Sequence, residues 1–311
     1  MSETQGPVLS IVIVSYNVKD LLLECLASIK KFVSLSHEVI VVDNDSKDGT
    51  TVSLREHFPE TILIENNFNA GFSGANNQGF AIARGEYILM LNPDAAFIDE
   101  NFTAAIEYLS THKNVLLGPR ILNPDRSFQS SAWKFPDPAQ HFLESIFLNR
   151  FFDIVSYPNI KTTDRPLRVD FVSGAAILMT RERQQKLGGL DTDLFWMDDT
   201  DLCFRNQLAN GETFYFPEWQ IIHHIGQSSS KNLRIVLSNQ IISKLKFYQK
   251  LQRYASFSLS MLIFVLHIVL RLVFLLPASL VNKKAFAKWK AYLYSLGKLF
   301  RFLFAGDRSV A

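Results

Sequence analysis

Five short apolar runs constrain what this chain can fold into: "LSIVIVS", "EVIVV", "TILIE", "EYILML" and "NVLLGP". Each is rich in β-branched or large aliphatic residues and closes on small polar ones, the composition of a strand buried on both faces. Between them, apolar residues recur at helical spacing, as at Leu22, Cys25, Leu26 and Ile29. The spacing predicts helices over 18–32, about 48–57, 75–84 with Gly85 as a stop, and from an Asp99 cap to about Thr111. Alternation of strand and helix with short connections predicts a parallel α/β sheet with helices on both faces.

Such sheets bind ligands at the carboxyl ends of their strands. Here those ends carry Ser15-Tyr16-Asn17, Asp43-Asn44-Asp45, the Asn- and Gly-rich stretch 66–79, and Asn92-Pro93-Asp94. Each has two readings at this level. Asp43 and Asp45 suit the hydroxyls and N–H groups of a nucleoside, because carboxylates only accept, or they build an Asx turn. Gly71, Gly74 and Gly79 allow close backbone approach to a ligand, or simply turn the chain; their spacing is not the dinucleotide fingerprint. Asp94 is a metal ligand or a turn cap.

Composition removes several classes. With 311 residues, 48% hydrophobic and a formal net charge of +2, the chain suits one large or two modest domains and offers no argument for nucleic acid. Cys25 and Cys203 lie far apart without a CxxC, so neither a zinc cage nor a disulfide framework is expected. No secretory signal is expected at the start. Residues 120–170 are irregular and rich in prolines and aromatics. A strand is predicted over 169–182, an acidic helix start in "MDDTDLCFR", and a strand ending in His223 and His224. Asp198, Asp199 and Asp201 favour a helix N-terminus through the dipole alone, and Asp201 and Arg205 are spaced to pair.

Seven segments in order, "IVIVSYN", "VVDNDSKDGT", "NNFNAGFSGANNQG", "LNPD", "SGA", "MDDTDLCFR" and "HHIGQS", resemble the inverting glycosyltransferases of family 2 over roughly residues 8–230. Within that family the chain is most similar to the rhamnosyltransferase-like branch. The resemblance implies a GT-A fold, a Rossmann-like nucleotide-diphospho-sugar transferase domain, over residues 1–235. It implies a nucleotide-sugar site drawn from Ser15, Tyr16, Asn17, Asp43, Asp45, Gly71, Asn76, Asn77, Asn92 and Gly174. It implies a divalent metal, Mg²⁺ or Mn²⁺, held by Asp94 and His223, with His224 as the fallback. The second member of the acidic pair, Asp199, becomes the general base. The first member is usually Glu and is Asp198 here, so Asp198 stays a candidate beside it. Gly226 and Ser228 are expected in a loop that folds over the donor.

Residues 236–311 form a basic, apolar tail. "SMLIFVLHIVLRLVFLLPASLV" is long enough to span a bilayer, but Arg271 and His267 near its middle and lysines on both flanks favour an interfacial or re-entrant helix pair with Pro277 near the bend. Over 283–304, Phe286, Trp289, Leu293, Leu296, Phe300 and Leu303 share a face, with Lys284, Lys288 and Lys298 elsewhere. The alternative is a helical pair packed on the catalytic domain or on a second copy in a homo-oligomer. The expectation is therefore a metal-dependent bacterial enzyme on the cytoplasmic face of the inner membrane. It would move rhamnose from dTDP-rhamnose onto a polyprenyl-linked or glycan acceptor. The competing readings are a UDP-hexose or UDP-N-acetylhexosamine donor, transfer to polyprenyl phosphate, and a non-catalytic nucleotide-sugar scaffold.

Overall fold

The computed structural model describes residues 6–149, 151–152, 154–224, 233–250 and 254–304. In chain order the elements are β1 (Leu9–Ser15), α1 (Lys19–Phe32), β2 (His37–Asp43), α2 (Thr50–His57), β3 (Ile62–Glu65), α3 (Gly71–Ile82), β4 (Tyr87–Leu91), β5 (Ala95–Phe97), α4 (Phe102–Thr111), β6 (Val115–Leu122), β7 (Phe128–Gln129) and β8 (Ala132–Trp133). Then follow α5 (Pro138–Ser145), β9 (Leu167–Val169), β10 (Phe171–Val172), β11 (Ala176–Thr180), α6 (Arg181–Leu187), α7 (Asp198–Leu208), β12 (Glu212–His223), α8 (Leu233–Lys250), α9 (Tyr254–Ser279) and α10 (Lys283–Phe304). They form two compact units that interleave in sequence. The first comprises residues 1–134, 157–192 and 198–228, the second 135–156, 193–197 and 229–311.

The first unit is built on one sheet in the order β3-β2-β1-β4-β11-β6-β12-β5, with β7 on β6 and β9 on β12. The predicted alternation holds for β1 to β4, which pair in parallel. It stops at β11, which pairs antiparallel with both β4 and β6. The sheet is therefore mixed, which corrects the all-parallel expectation. The chain reaches β11 late and from the opposite end, a long-range pairing that no local pattern encodes.

Side chains alternate across the sheet as the pleat requires. Leu9, Ile11 and Ile13 point into the main core with Leu22, Cys25 and Ile29 of α1 and Phe102 and Ala105 of α4. Val12 faces α3, and a Cβ on Gly79 would collide with its side chain. Gly79 thus sets how closely α3 lies on β1. Gly85 has the same role at the other end: a Cβ there would strike the Ser10 backbone, while α3 already ends at Ile82 with Ala83 as its cap. Gly85 is a close-approach residue rather than the helix stop. Asp99 differs too: its carboxylate accepts from Asn101 N–H, and Asn101 is the cap of α4.

The second unit has its own core, in which Ile242, Leu245, Phe264, Ile268, Leu299 and Phe302 join α8, α9 and α10. α9 and α10 form a hairpin with Pro277 in the last turn of α9, and Trp289 Nε1 donates to Leu272 O across it. Phe257–Ser279 is long and apolar enough to cross a bilayer, and only 22% of its most apolar window is buried within the protein. Lys298 is the exception to the expected face pattern. It is buried beside Ala291, Ser295 and Leu299 and donates to Asn239 Oδ1 at 2.9 Å.

Candidate active site

In-phase parallel pairing aligns the carboxyl ends of the first strands. Ser15 stands opposite Asp43, and Asp43 opposite Glu65. The loops that follow are laced together. Asn44 N–H donates to Ser15 O, Asn66 N–H to Asp43 O, and Asn44 Nδ2 to Gly71 O. Asn17 and Asp45 both adopt positive φ, 53° and 66°. That region suits Asn and Asp among non-glycine residues. Asn17 receives Lys47 N–H and donates to Ser46 Oγ, while Asp45 pairs with Lys47 at the surface. Asp48, where the predicted second helix begins, accepts Lys19 N–H with one oxygen and Thr50 N–H with the other. One carboxylate thus caps α1 and starts α2, and those hydrogen bonds outweigh its burial and hold its pKa below the usual range.

The lacing leaves buried polar atoms over. Ser15 Oγ, Asp43 Oδ1, Asn76 Oδ1 and Asn92 Oδ1 have no hydrogen-bond partner among the described residues. Asp43 is 2% exposed, and its other oxygen accepts only Ser46 N–H. A buried polar atom left unpaired costs about 1–3 kcal/mol. Four along one edge is a standing invitation to a polar ligand. Tyr16 is exposed at that edge and Gly71 takes a φ of 74°. Asn77 sits apart: its amide donates to Leu190 O and accepts Leu190 N–H, so both ends are engaged in joining α3 to the loop before α7.

The sheet topology then carries this edge across to the second half of the unit. After Asn92-Pro93-Asp94 the chain crosses to β12, where β5 pairs antiparallel with Ala95 opposite His223. That register sets Asp94 Oδ1 3.2 Å from His223 Nε2, and His224 N–H donates to Asp94 O. The His224 ring lies instead toward Glu24. Gln129 on β7 faces His223 Nδ1 at 2.9 Å and donates to the His223 carbonyl. This contact places a proton on Nδ1 and turns Nε2 toward the Asp94 carboxylate, an ion pair when the ring is charged. With the ring neutral, Nε2 and the carboxylate are two donor atoms that one divalent cation can engage. The Asn92 amide nitrogen lies 3.3 Å from the same Nε2, and its oxygen is buried without a partner among the described residues. No group of three or more His, Cys, Asp or Glu placed to hold a metal ion occurs among the described residues. The donor set is one carboxylate, one imidazole and one amide oxygen. It fits a divalent cation that takes its remaining ligands from phosphate and water.

From Asn92 the same edge reaches the acidic pair. Asn92 N–H donates to Ala175 O, and Gly174 N–H donates to Asp199 Oδ2 at 2.9 Å. A Cβ on Gly174 would meet Asp199 at contact distance. Asp199 Oδ1 accepts from Thr200 N–H and its hydroxyl. Both carboxylate oxygens are therefore oriented, and Oδ2, with a single donor, keeps a lone pair. Burial raises the Asp199 pKa even against those donors. Asp198 is pushed up to about 7, first by burial and then by the charge of Asp199. Asp201 is fully buried and bonds Arg205 at 2.7 Å, a scaffold pair in which Arg205 also bonds the Leu187 and Gly189 carbonyls. Gly226 and Ser228 lie outside the described residues.

Residues 10–174 match the family model described as glycosyl transferase family 2. An N-acetylglucosaminyl-diphospho-decaprenol L-rhamnosyltransferase of Mycobacterium tuberculosis is 26% identical over 72% of this chain and 78% of its own length. A UDP-Glc:alpha-D-GlcNAc-diphosphoundecaprenol beta-1,3-glucosyltransferase of Escherichia coli is 30% identical over 33% of this chain and 42% of its own length. Among solved structures, a mannosyltransferase from Pyrobaculum calidifontis in complex with GDP-Man and Mn²⁺ superposes with a TM-score of 0.57 at 17% identity, covering 98% of this chain and 89% of that one. GalNAc-T7 with UDP, GalNAc and Mn²⁺ gives 0.56 at 16% identity over 79% and 50%. These likenesses establish the GT-A fold.

Proposed function

The chain belongs to glycosyl transferase family 2 and is a glycosyltransferase, and from that premise we propose an inverting transfer from a nucleoside diphosphate sugar to a lipid-linked acceptor. The observation that carries the reading is the row of orphaned buried polar atoms at the sheet edge, continuous through Asn92 and Gly174 with the oriented carboxylate of Asp199. Asp43 Oδ1 and Ser15 Oγ receive the nucleoside, whose N–H and hydroxyl groups satisfy them. Asn76 and the exposed Tyr16 border the same pocket, and Asn17, Asp45 and Gly71 shape its loops. Asn77 holds the wall of the pocket through Leu190.

Asp199 accepts the proton of the acceptor hydroxyl while Gly174 and Thr200 keep the carboxylate aimed. A raised pKa makes it a stronger base. The freed oxygen attacks the anomeric carbon opposite the nucleotide, and the bond to the diphosphate breaks with its electron pair leaving on the phosphate oxygen. One displacement inverts the configuration. Asp198, its pKa raised to about 7, is partly protonated near pH 7 and so lessens the negative charge at the site. A divalent cation, Mg²⁺ or Mn²⁺, bound by Asp94, His223 and the Asn92 amide oxygen, would neutralise the charge that develops on the departing diphosphate.

The donor we propose is dTDP-rhamnose, supported by the relative from Mycobacterium tuberculosis. The acceptor is a sugar on a polyprenyl diphosphate. A UDP-hexose donor is the second reading, favoured by the relative from Escherichia coli. The exposed apolar surface of α9 and the basic tail support attachment to the cytoplasmic face of a bacterial inner membrane. A thermal-shift panel of nucleotide sugars with Mg²⁺ or Mn²⁺ ranks the donors without knowledge of the acceptor. The largest shift is expected with dTDP-rhamnose. A larger shift with a UDP-hexose replaces the donor, and no shift with any nucleotide sugar overturns the site.

A further inference from the structure

The irregular stretch before residue 170 contains an apolar surface of its own. Phe147, Phe151 and Phe152 are 47%, 77% and 57% exposed, with Phe142, Leu148 and Ile154 also uncovered. Isolated surface aromatics need no explanation, but a contiguous group of this kind marks an interaction surface.

The segment has a built conformation. Leu148 N–H closes on Leu143 O at 2.9 Å behind the end of α5, and Phe151 N–H and Phe152 N–H both turn back to Leu148 O. Phe147 occupies the left-handed position at that helix end, with φ 63°. Glycine suits this position best. An aromatic there accepts backbone strain and presents a large apolar side chain at a tip. The tip is fastened to α9 within the second unit. The Phe147 ring meets Phe274 edge-on at 5.8 Å, and the Arg271 guanidinium lies 3.5 Å from the Phe147 ring centroid. Arg271 also donates to Glu144 O at 3.0 Å. The charge in the middle of α9 is thereby folded against α5.

Two observations select the partner. The aromatic tip continues the exposed apolar surface of α9, where Leu262, Val273 and Phe274 are each at least 60% exposed. A groove of about 630 Å³ between α5 and α9, lined by Phe142, Leu259, Leu262 and Leu266 with Asp137 at one end of α5, adds to the apolar surface. Charge is the second. From residue 233 to 304 the chain carries twelve Lys and Arg and not one Asp or Glu. The apolar surface of α9 is thus flanked by positive charge complementary to anionic lipid, whereas the segment of the tip itself carries Asp137, Glu144 and Asp153 against Arg150 and offers a bilayer its aromatic side chains.

We propose that Phe147, Leu148, Phe151 and Phe152 form an aromatic wedge that enters the interfacial layer of an anionic bilayer beside α9. The inference rests on the membrane attachment proposed above and adds an insertion point outside α9 and α10 to it.

The test uses the full chain with Phe151→Cys carrying an environment-sensitive nitrobenzoxadiazole label. Cys25 and Cys203 are buried and burial pushes both thiols up, so they stay unlabelled. On vesicles of phosphatidylglycerol and phosphatidylcholine the label is expected to shift to the blue and brighten. Phe151→Ser with Phe152→Ser is expected to lower vesicle affinity about tenfold or more with the melting temperature unchanged. Flotation with an unshifted label overturns the wedge and leaves the tail as anchor. No flotation overturns the wedge and the attachment together, and nucleotide-sugar binding then still decides the enzyme reading. A blue shift that grows with protein concentration in the absence of vesicles makes the partner a second copy and overturns the bilayer assignment.

Discussion

The two units depart from ordinary globular packing chiefly in different ways, although among the described residues the second also holds unpartnered buried polar atoms at Gln140, His141, Ser260 and Arg271. At its sheet edge the first unit buries polar atoms without giving them partners, as at Asp43, Ser15 and Asn92. The second exposes large apolar side chains without covering them, as at Phe151, Val273 and Phe274. Soluble proteins avoid both because each costs free energy. The difference teaches what each unit lacks. A nucleoside diphosphate sugar would satisfy the first, and a lipid surface would cover the second. Each deficit is read from the protein alone.

The comparison can be broken at the first unit most severely through its base. Asp199→Asn keeps the side-chain shape but cannot accept a proton, and its amide nitrogen gives up either the Gly174 or the Thr200 hydrogen bond. Transfer is expected to fall about 10³-fold, within the usual range for general-base loss, with nucleotide binding retained. Wild-type turnover in this variant would move the base elsewhere. Next is Asp94→Asn, which removes the single carboxylate beside His223. A loss of about 10²-fold in transfer is expected, together with loss of any Mn²⁺-dependent thermal shift by nucleotide. An unchanged Mn²⁺ response would place the cation elsewhere.

Asn92→Asp sharpens the comparison instead of breaking it. It turns a one-carboxylate site into a two-carboxylate site. Mn²⁺ retention by the donor-free protein should rise about tenfold, measured by equilibrium dialysis. Equal retention would mean that Asn92 faces away from the cation. The smallest effect is on stability. Asp198 has a folded pKa of about 7, above its unfolded value of 3.8, so the fold favours its neutral form. Its contribution is fully favourable below about pH 4 and is lost as pH rises through about 7. Asp198→Asn should therefore melt a few degrees higher than wild type at about pH 8, with the gain vanishing toward pH 4. A gain that does not depend on pH would show that charge at Asp198 is not the cause.

How far these features were legible in the sequence depends on how local their causes are. β1 to β4 could be read because buried parallel strands are written as continuous apolar runs. The loops at their ends could be located because in-register strands finish together. β11 could not be oriented, since its antiparallel place beside β4 depends on a pairing nearly ninety residues distant. Asp94 and His223 were both singled out, but what joins them is the register of β5 on β12. Gln129 escaped notice because a two-residue strand gives no periodic signal. Asp48 was legible as the start of α2, but its second bond, to Lys19 N–H at the start of α1, is a long-range contact. Lys298 looked like a surface lysine until its partner Asn239 came from another helix. The aromatic tip at Phe147 had no helical or strand period, and its exposure is a tertiary fact.

The central claim is that the orphaned atoms of the first unit bind the nucleotide while Asp199 performs the chemistry. Calorimetric titration of the donor's nucleoside diphosphate, with Mn²⁺ present, tests it against wild type, Asp43→Ala and Asp199→Asn in one series. The account predicts that Asp43→Ala weakens binding about 10- to 100-fold, the loss of a hydrogen bond to a charged group, and that Asp199→Asn binds as wild type does. Undiminished binding by Asp43→Ala, or its loss in Asp199→Asn alone, would contradict it.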